Sequence, residues 1–238
     1  FLYVYNFCPS KLIIEAHQSS KINISQTTEY YQQFIDQSFS NYDILAPAMS
    51  DTLQEFLKDE QQYYTDVQIK NYVEVMAQAY QGAIENSAQY SKFYINLAKM
   101  YQLVSKLPRL DYIDQSFDLL NQALEYSPNR IDIYYALAQG YFLQGNIELA
   151  ENSLNNALDL GVRQEEVYSK LVEVQSRQGD VTEALVNIKK AEEFGKEFSF
   201  TDLESFAKIF IAREEWSAVT EMFLKMNVLQ PCNIDTYY

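Results

Sequence analysis

Residues 131–161 read IDIYYALAQGYFLQGNIELAENSLNNALDLG, and residues 165–195 read EEVYSKLVEVQSRQGDVTEALVNIKKAEEFG. Laid over each other at an offset of 34, they pair Tyr134 with Tyr168, Leu137 with Leu171, Gly145 with Gly179 and Asn146 with Asp180. The pairing continues through Ala150 and Ala184, Leu154 and Ile188, Ala157 and Ala191, and Gly161 and Gly195. A self-match at one fixed period of this length marks stacked helical hairpins, none of which can bury its apolar face alone.

The matched positions have a mechanical meaning. Small residues at Ala138, Ala150, Ala157, Ala184 and Ala191 sit where two antiparallel helices approach closely, while Tyr134, Leu137, Tyr141, Leu154 and Leu158 fill the space beside them. Gly145 and Gly179 end one helix in a left-handed residue, and Asn146 and Asp180 cap the next. Gly161 and Gly195 close the second helices in the same way. On these residues the chain resembles the tetratricopeptide repeat family: Tyr134, Leu137, Ala138, Tyr141, Gly145, Ala150, Leu154 and Ala157 stand at its signature positions, and Tyr168, Leu171, Gly179, Ala184 and Ala191 repeat them. The resemblance implies a right-handed α-solenoid of antiparallel helical hairpins.

The period extends in both directions. Forward by 35, Leu203, Phe206, Ala207, Phe210, Val219, Phe223 and Pro231 mark a third hairpin from Ser199 to Leu229, with Glu214 where the glycine should stand. Backward, Tyr94, Leu97, Ala98 and Tyr101 match a first helix and Leu120, Ala123, Leu124 and Pro128 a second, joined by a turn six residues longer that holds Leu107-Pro108-Arg109. The spacing gives repeats over 91–128, 131–164, 165–198 and 199–232, with a tail of 233–238. Residues 10–90 are helical but irregular: Ser10 to Ser20 pairs with Gln26 to Ser38, and Ser50 to Gln62 precedes Asp66 to Glu85. No stretch alternates as a sheet strand would. The expectation is an all-α chain of about twelve helices in one continuous array.

Of 238 residues, 47% are hydrophobic, and six glycines with five prolines leave little room for long linkers. Twenty tyrosines stand against one tryptophan; rings fill gaps between short helices and also favour contact surfaces. A formal charge of -15 speaks against nucleic acid and anionic lipid as partners, leaving basic or neutral ones.

Catalytic groupings are hard to assemble. One histidine, His17, beside Ala16 on an expected helix, reads as structural. Cys8 and Cys232 have no CxxC partner and suggest neither zinc nor a redox pair. Glu165-Glu166, Glu192-Glu193 and Glu214-Glu215 are adjacent on helices, where neighbours diverge by about 100 degrees, so they do not face across a cleft. No glycine-rich phosphate loop is present, and no cofactor is expected.

A ligand is expected on the inner curve, which the first helices of the hairpins line. There the stripe runs through Asp132, Tyr135, Gln139 and Phe142, then Glu166, Ser169, Glu173 and Ser176, flanked by Lys92, Ile95, Lys99 and by Glu204, Lys208, Ile211. Tetratricopeptide domains that clamp a chaperone's terminal carboxylate use lysine and asparagine at these positions. Tyr135, Gln139, Ser169 and Glu173 replace them here, so a carboxylate clamp is not expected. The mixed aromatic and acidic stripe suits an extended peptide with apolar and basic side chains.

Phe1-Leu2-Tyr3-Val4-Tyr5 is apolar, carries no basic residue and no cleavage signature, and fits the last turns of a helix that crosses a membrane. From Tyr5 to Ala191 the order of segments, including Ser127-Pro128-Asn129-Arg130 before Tyr134-Tyr135-Ala136-Leu137-Ala138, resembles the soluble C-terminal repeat region of bacterial O-antigen ligase and polymerase membrane proteins. That resemblance implies an extracytoplasmic assembly module, held to the membrane by a preceding segment, with the transfer chemistry elsewhere; a cytoplasmic setting is the alternative. The expected function is a noncatalytic protein interaction scaffold. The rival is an accessory domain that holds glycan, with Tyr135 as a stacking platform and Asp132 as a hydrogen-bond acceptor.

Overall fold

A computed structural model describes residues 23–37, 42–58, 64–107 and 109–230, and every regular element among them is an α-helix. In chain order these are α1 (Ile24–Gln37), α2 (Tyr42–Lys58), α3 (Asp66–Asn86), α4 (Ser91–Val104), α5 (Ile113–Tyr126), α6 (Ile131–Leu143), α7 (Ile147–Asp159), α8 (Gln164–Gln178), α9 (Val181–Glu193), α10 (Phe200–Ala212) and α11 (Trp216–Leu229). The expected helix Ser10 to Ser20, with His17, and the residues Cys8, Pro108, Pro231 and Cys232 lie outside the described residues. The fold is an all-α array of antiparallel hairpins, an α-solenoid.

The chain divides into two compact units, Phe1–Ala136 and Leu137–Tyr238. The division falls inside α6 and not near residue 90, where the sequence loses its regularity. In an array whose hairpins touch only their neighbours, a cut severs few contacts wherever it falls.

The core of the first unit is aromatic with polar tips. Tyr31, Tyr72 and Tyr80 are among the largest fully buried side chains. Tyr72 meets Tyr31 and Phe56 edge to face, with centroids 6.0 and 5.6 Å apart. A buried hydroxyl needs a partner, and α2 supplies all three. Tyr72 donates to the Met49 carbonyl at 2.8 Å, while Tyr31 shares a hydrogen bond with Thr52 at 3.0 Å and Tyr80 with Ser50 at 2.7 Å. Burial, the largest cause, pushes the Tyr80 hydroxyl up to about 12, partly offset by Ser50, and also holds the Tyr72 hydroxyl well above its ordinary value.

One expectation for this unit needs correction. The helix foreseen from Ser50 to Gln62 begins at Tyr42 and contains Pro47. Proline removes one backbone donor, here early in the helix, and the fully buried Leu45, Ala46 and Met49 around it more than offset that loss. α3 starts as expected at Asp66, where Thr65 accepts from the Gln68 N–H at 3.3 Å and the Gln68 side chain accepts from Thr65 at 3.0 Å. The long turn between α4 and α5 is built: Tyr101 stacks on Tyr112 at 5.2 Å, Ser105 Oγ accepts from the Tyr112 N–H at 2.8 Å, and Leu110 is buried.

In the second unit the glycine punctuation holds. At Gly145 and Gly195 the chain adopts φ of 75° and 93°, and each turn closes with two crossed backbone bonds: Asn146 to Tyr141 and Gly145 to Phe142, then Lys196 to Ala191 and Gly195 to Glu192. The third hairpin repeats the pattern without glycine. Glu215 donates to Phe210 and Glu214 to Ile211, both at 3.0 Å, with Glu214 at φ 61°. Asn146, Asp180 and Ser199 cap the following helices as their residue types require. Ala150, Ala157, Ala184 and Ala191 are fully buried, so their helices approach closely, and Ile188, Phe210 and Met222 fill the core beside them. One buried polar pair crosses α8 and α9, Asn187 donating to Gln175 at 2.7 Å.

Candidate binding face

Each residue of the expected stripe occupies a first helix of a hairpin, so its surroundings follow from its turn of helix. In the first unit, Lys99 is exposed on α4, and Asp132 sits half-buried at the start of α6 with Arg130 Nε 3.4 Å from its carboxylate. Arg130 also donates to Ser91 at 3.5 Å, tying the beginning of α6 to that of α4. Tyr135 departs from expectation: it is 8% exposed, closed in with Ile131, Ile133 and Ala136. A ring so buried presents no stacking platform to a ligand, which removes the feature on which glycan holding would have relied.

In the second unit, Gln139 and Phe142 of α6 and Glu166 and Ser169 of α8 are half-buried, while Glu173 is exposed. Arg163 pairs with Glu166 one turn away. Arg177 pairs with Glu173 at 3.5 Å and lies over the Phe142 ring at 5.4 Å from its centroid. The Arg177 carbonyl in turn accepts from Arg213 at 2.6 Å. A Cβ at Gly179 would run into that Arg213 guanidinium, so this glycine serves both the left-handed turn, φ 100°, and the close approach of the arginine. Two arginines thus lace α6, α8 and the turn after α10, and Arg177 brings positive charge to Phe142 and Glu173. Lys208 on α10 pairs with Glu204 at 2.8 Å.

Arg177 was detectable, because it stands four residues after Glu173 on one helix face. Arg213 was not, since no local spacing links it to Gly179. The packing residues behave as their positions demand: Leu137, Ala138 and Leu171 are buried, and Tyr134 and Tyr141 are half-buried. Tyr134 donates to the Pro128 carbonyl at 2.7 Å, and Tyr168 stacks on Phe194 at 5.6 Å. Tyr94 meets Tyr126 at 5.7 Å in the corresponding place of the first unit.

Among the described residues, no three of His, Cys, Asp and Glu are grouped to hold a metal ion, and no helix is long and apolar enough to cross a membrane. No protein-family model and no curated protein matches the chain. Solved structures do. A thermophilic TPR protein of Thermus thermophilus is 18% identical with a TM-score of 0.55, over 85% of this chain and 99% of its own. PilF of Pseudomonas aeruginosa is 12% identical with a TM-score of 0.53, over 97% and 96%. A tetratricopeptide repeat protein of Parabacteroides merdae is 13% identical with a TM-score of 0.51, over 96% and 95%. At these identities the likeness is one of fold, and the fold is that of tetratricopeptide arrays.

Proposed function

We propose that this chain is a noncatalytic scaffold for protein interaction, holding a peptide segment with basic and apolar side chains along the first helices of its hairpins. The observation that carries the reading is the stripe of the second unit, where Gln139, Phe142, Glu166, Ser169 and Glu173 stand together without deep burial; the exposed ion pairs of Glu166 with Arg163 and of Glu173 with Arg177 are weak enough for a peptide's basic side chains to exchange into. Such a surface matches an extended chain better than a small reactant, because recognition is spread along successive helices. The setting we propose is cell-envelope glycan assembly on the extracytoplasmic side of a bacterial membrane, with attachment through a preceding segment. It rests on the segment order from Tyr5 to Ala191 alone.

A peptide array contrasting basic-apolar with acidic sequences tests the scaffold reading. Wild-type protein should retain the basic-apolar set, and Glu166→Lys with Glu173→Lys should weaken that retention at least tenfold. Binding to a glycan array with no peptide retained would overturn the reading in favour of a glycan-holding accessory domain.

A further inference from the structure

The first unit carries a concavity that the stripe does not use. On α3, Glu74, Gln78, Gln81 and Glu85 line one wall at spacings of four, three and four residues. On α5, Gln115, Asp118 and Gln122 line the facing wall at spacings of three and four. Leu97 and Tyr101 of α4 form the floor, and the cleft between these helices measures about 750 Å³, within the range of ligand-sized sites. Leu97 and Tyr101 are each two residues from Lys99, hence about 200 degrees around α4, so the cleft opens on the side of that helix away from the stripe. Gly82 contributes to its shape: the Tyr42 ring rests where a Cβ would be, and both residues line the cleft.

Its chemistry is one-sided. Three lining residues are carboxylates, four are glutamines, and none is lysine or arginine. Glu74 stands at one end of the α3 wall and Glu85 at the other, eleven residues apart, which is about 16 Å of helix rise. The α5 wall from Gln115 to Gln122 covers about 10 Å. Two helical rows flanking an apolar floor over that length accommodate two to three turns of a third helix.

We infer that this cleft binds an amphipathic helical segment of a partner protein, two to three turns long, whose apolar side rests on Leu97 and Tyr101 and whose lysines or arginines reach Glu74, Glu85 and Asp118. The glutamines supply adaptable hydrogen bonds at the rim, where Gln81 donates to Glu85 at 3.1 Å. No cation lines the cleft itself, and Lys70, which pairs with Glu74 at 3.9 Å from the preceding turn of α3, is exposed and offsets only one of the three carboxylates. The inference goes beyond the stripe and rests on the scaffold reading only in that the occupant is again a protein segment.

The test uses the full chain and a fluorescein-labelled 14-residue helical peptide with leucines at i, i+4 and i+8 flanked by arginines, read by anisotropy. Its counterpart with glutamate for arginine should bind at least tenfold more weakly. Glu85→Lys with Asp118→Lys, both at exposed positions, should weaken the arginine peptide at least tenfold and leave the circular dichroism spectrum unchanged. Glu173→Lys should not affect it. Equal binding of both peptides, or wild-type affinity in the double variant, would overturn the inference. So would a self-association of the chain that the double variant abolishes, since the cleft would then hold a second copy. Failure of the wild-type chain to bind the arginine peptide while it still retains stripe peptides defeats this inference alone; failure to bind either defeats the scaffold reading as well.

Discussion

Replacing Glu214 by glycine should stabilise the second unit, and the size of the gain follows from one dihedral angle. Glu214 holds φ 61° at the turn between α10 and α11, where the equivalent turns hold Gly145 at 75° and Gly179 at 100°. Both crossed backbone bonds of that turn are made at 3.0 Å, so the turn is complete and the side chain bears the strain. A Cβ in this region costs about 1–2 kcal/mol. Glycine returns about 0.5–1 kcal/mol of that through the greater freedom of the unfolded chain, leaving a net gain of about 0.5–1 kcal/mol. Gly145→Ala is the mirror experiment, since no atom lies within 4 Å of the added Cβ and only the dihedral is at stake. Urea unfolding followed by the fluorescence of Trp216, the one tryptophan, two residues away, reads both. The midpoint should rise for Glu214→Gly and fall for Gly145→Ala, with the slope m unchanged. Glu214→Gln keeps the Cβ and removes the charge, so its midpoint should not move. If the glutamine variant gained as much as glycine, repulsion from Glu215 and not backbone geometry would be the cause, and the reasoning would fail.

Two further outcomes follow from buried polar groups. Ser176 is fully buried in α8 with no hydrogen-bond partner for its hydroxyl among the described residues, so Ser176→Ala should raise stability by about 1 kcal/mol in the same urea titration; a loss of that size would reveal a partner for the hydroxyl. Tyr80, buried and raised from 10.0 to about 12, keeps its proton in the folded chain longer than in the unfolded one. Its contribution is whole below pH 10 and is lost as the pH climbs toward 12, on the order of 2–3 kcal/mol across that interval. Circular dichroism through the alkaline range should show a shallower decline for Tyr80→Phe than for the wild type, and identical declines would contradict the assignment.

The hairpins from residue 131 onward were readable because their turns are written in single residues. A left-handed glycine followed by a capping side chain needs no tertiary information, and even Glu214 could be placed by counting. Tyr135 was misjudged for a definite reason. The stripe rule groups it with Asp132, but α6 also buries Ile131, Ile133, Ala136, Leu137 and Ala138, so apolar residues run nearly all round and periodicity cannot choose a face. The start of α2 is not announced by spacing: Pro47 disfavours a helix locally, and what favours one is the core around Leu45 and Met49. The Arg213 contact with the Arg177 carbonyl and the seat of Tyr42 on Gly82 join residues far apart in sequence, and no spacing in the chain announces either.

The three phenols that end on α2 set a limit on modular engineering. A hairpin of the second unit is easier to duplicate or exchange, because apart from the seat of Arg213 at Gly179 its turns ask only for backbone geometry. Removing or transplanting α2 would strand the hydroxyls of Tyr31, Tyr72 and Tyr80, which reach it from two other helices and find their partners in Thr52, Met49 and Ser50. Chimeras of this chain should therefore keep residues 24–86 as one inherited block and vary the number of hairpins beyond it.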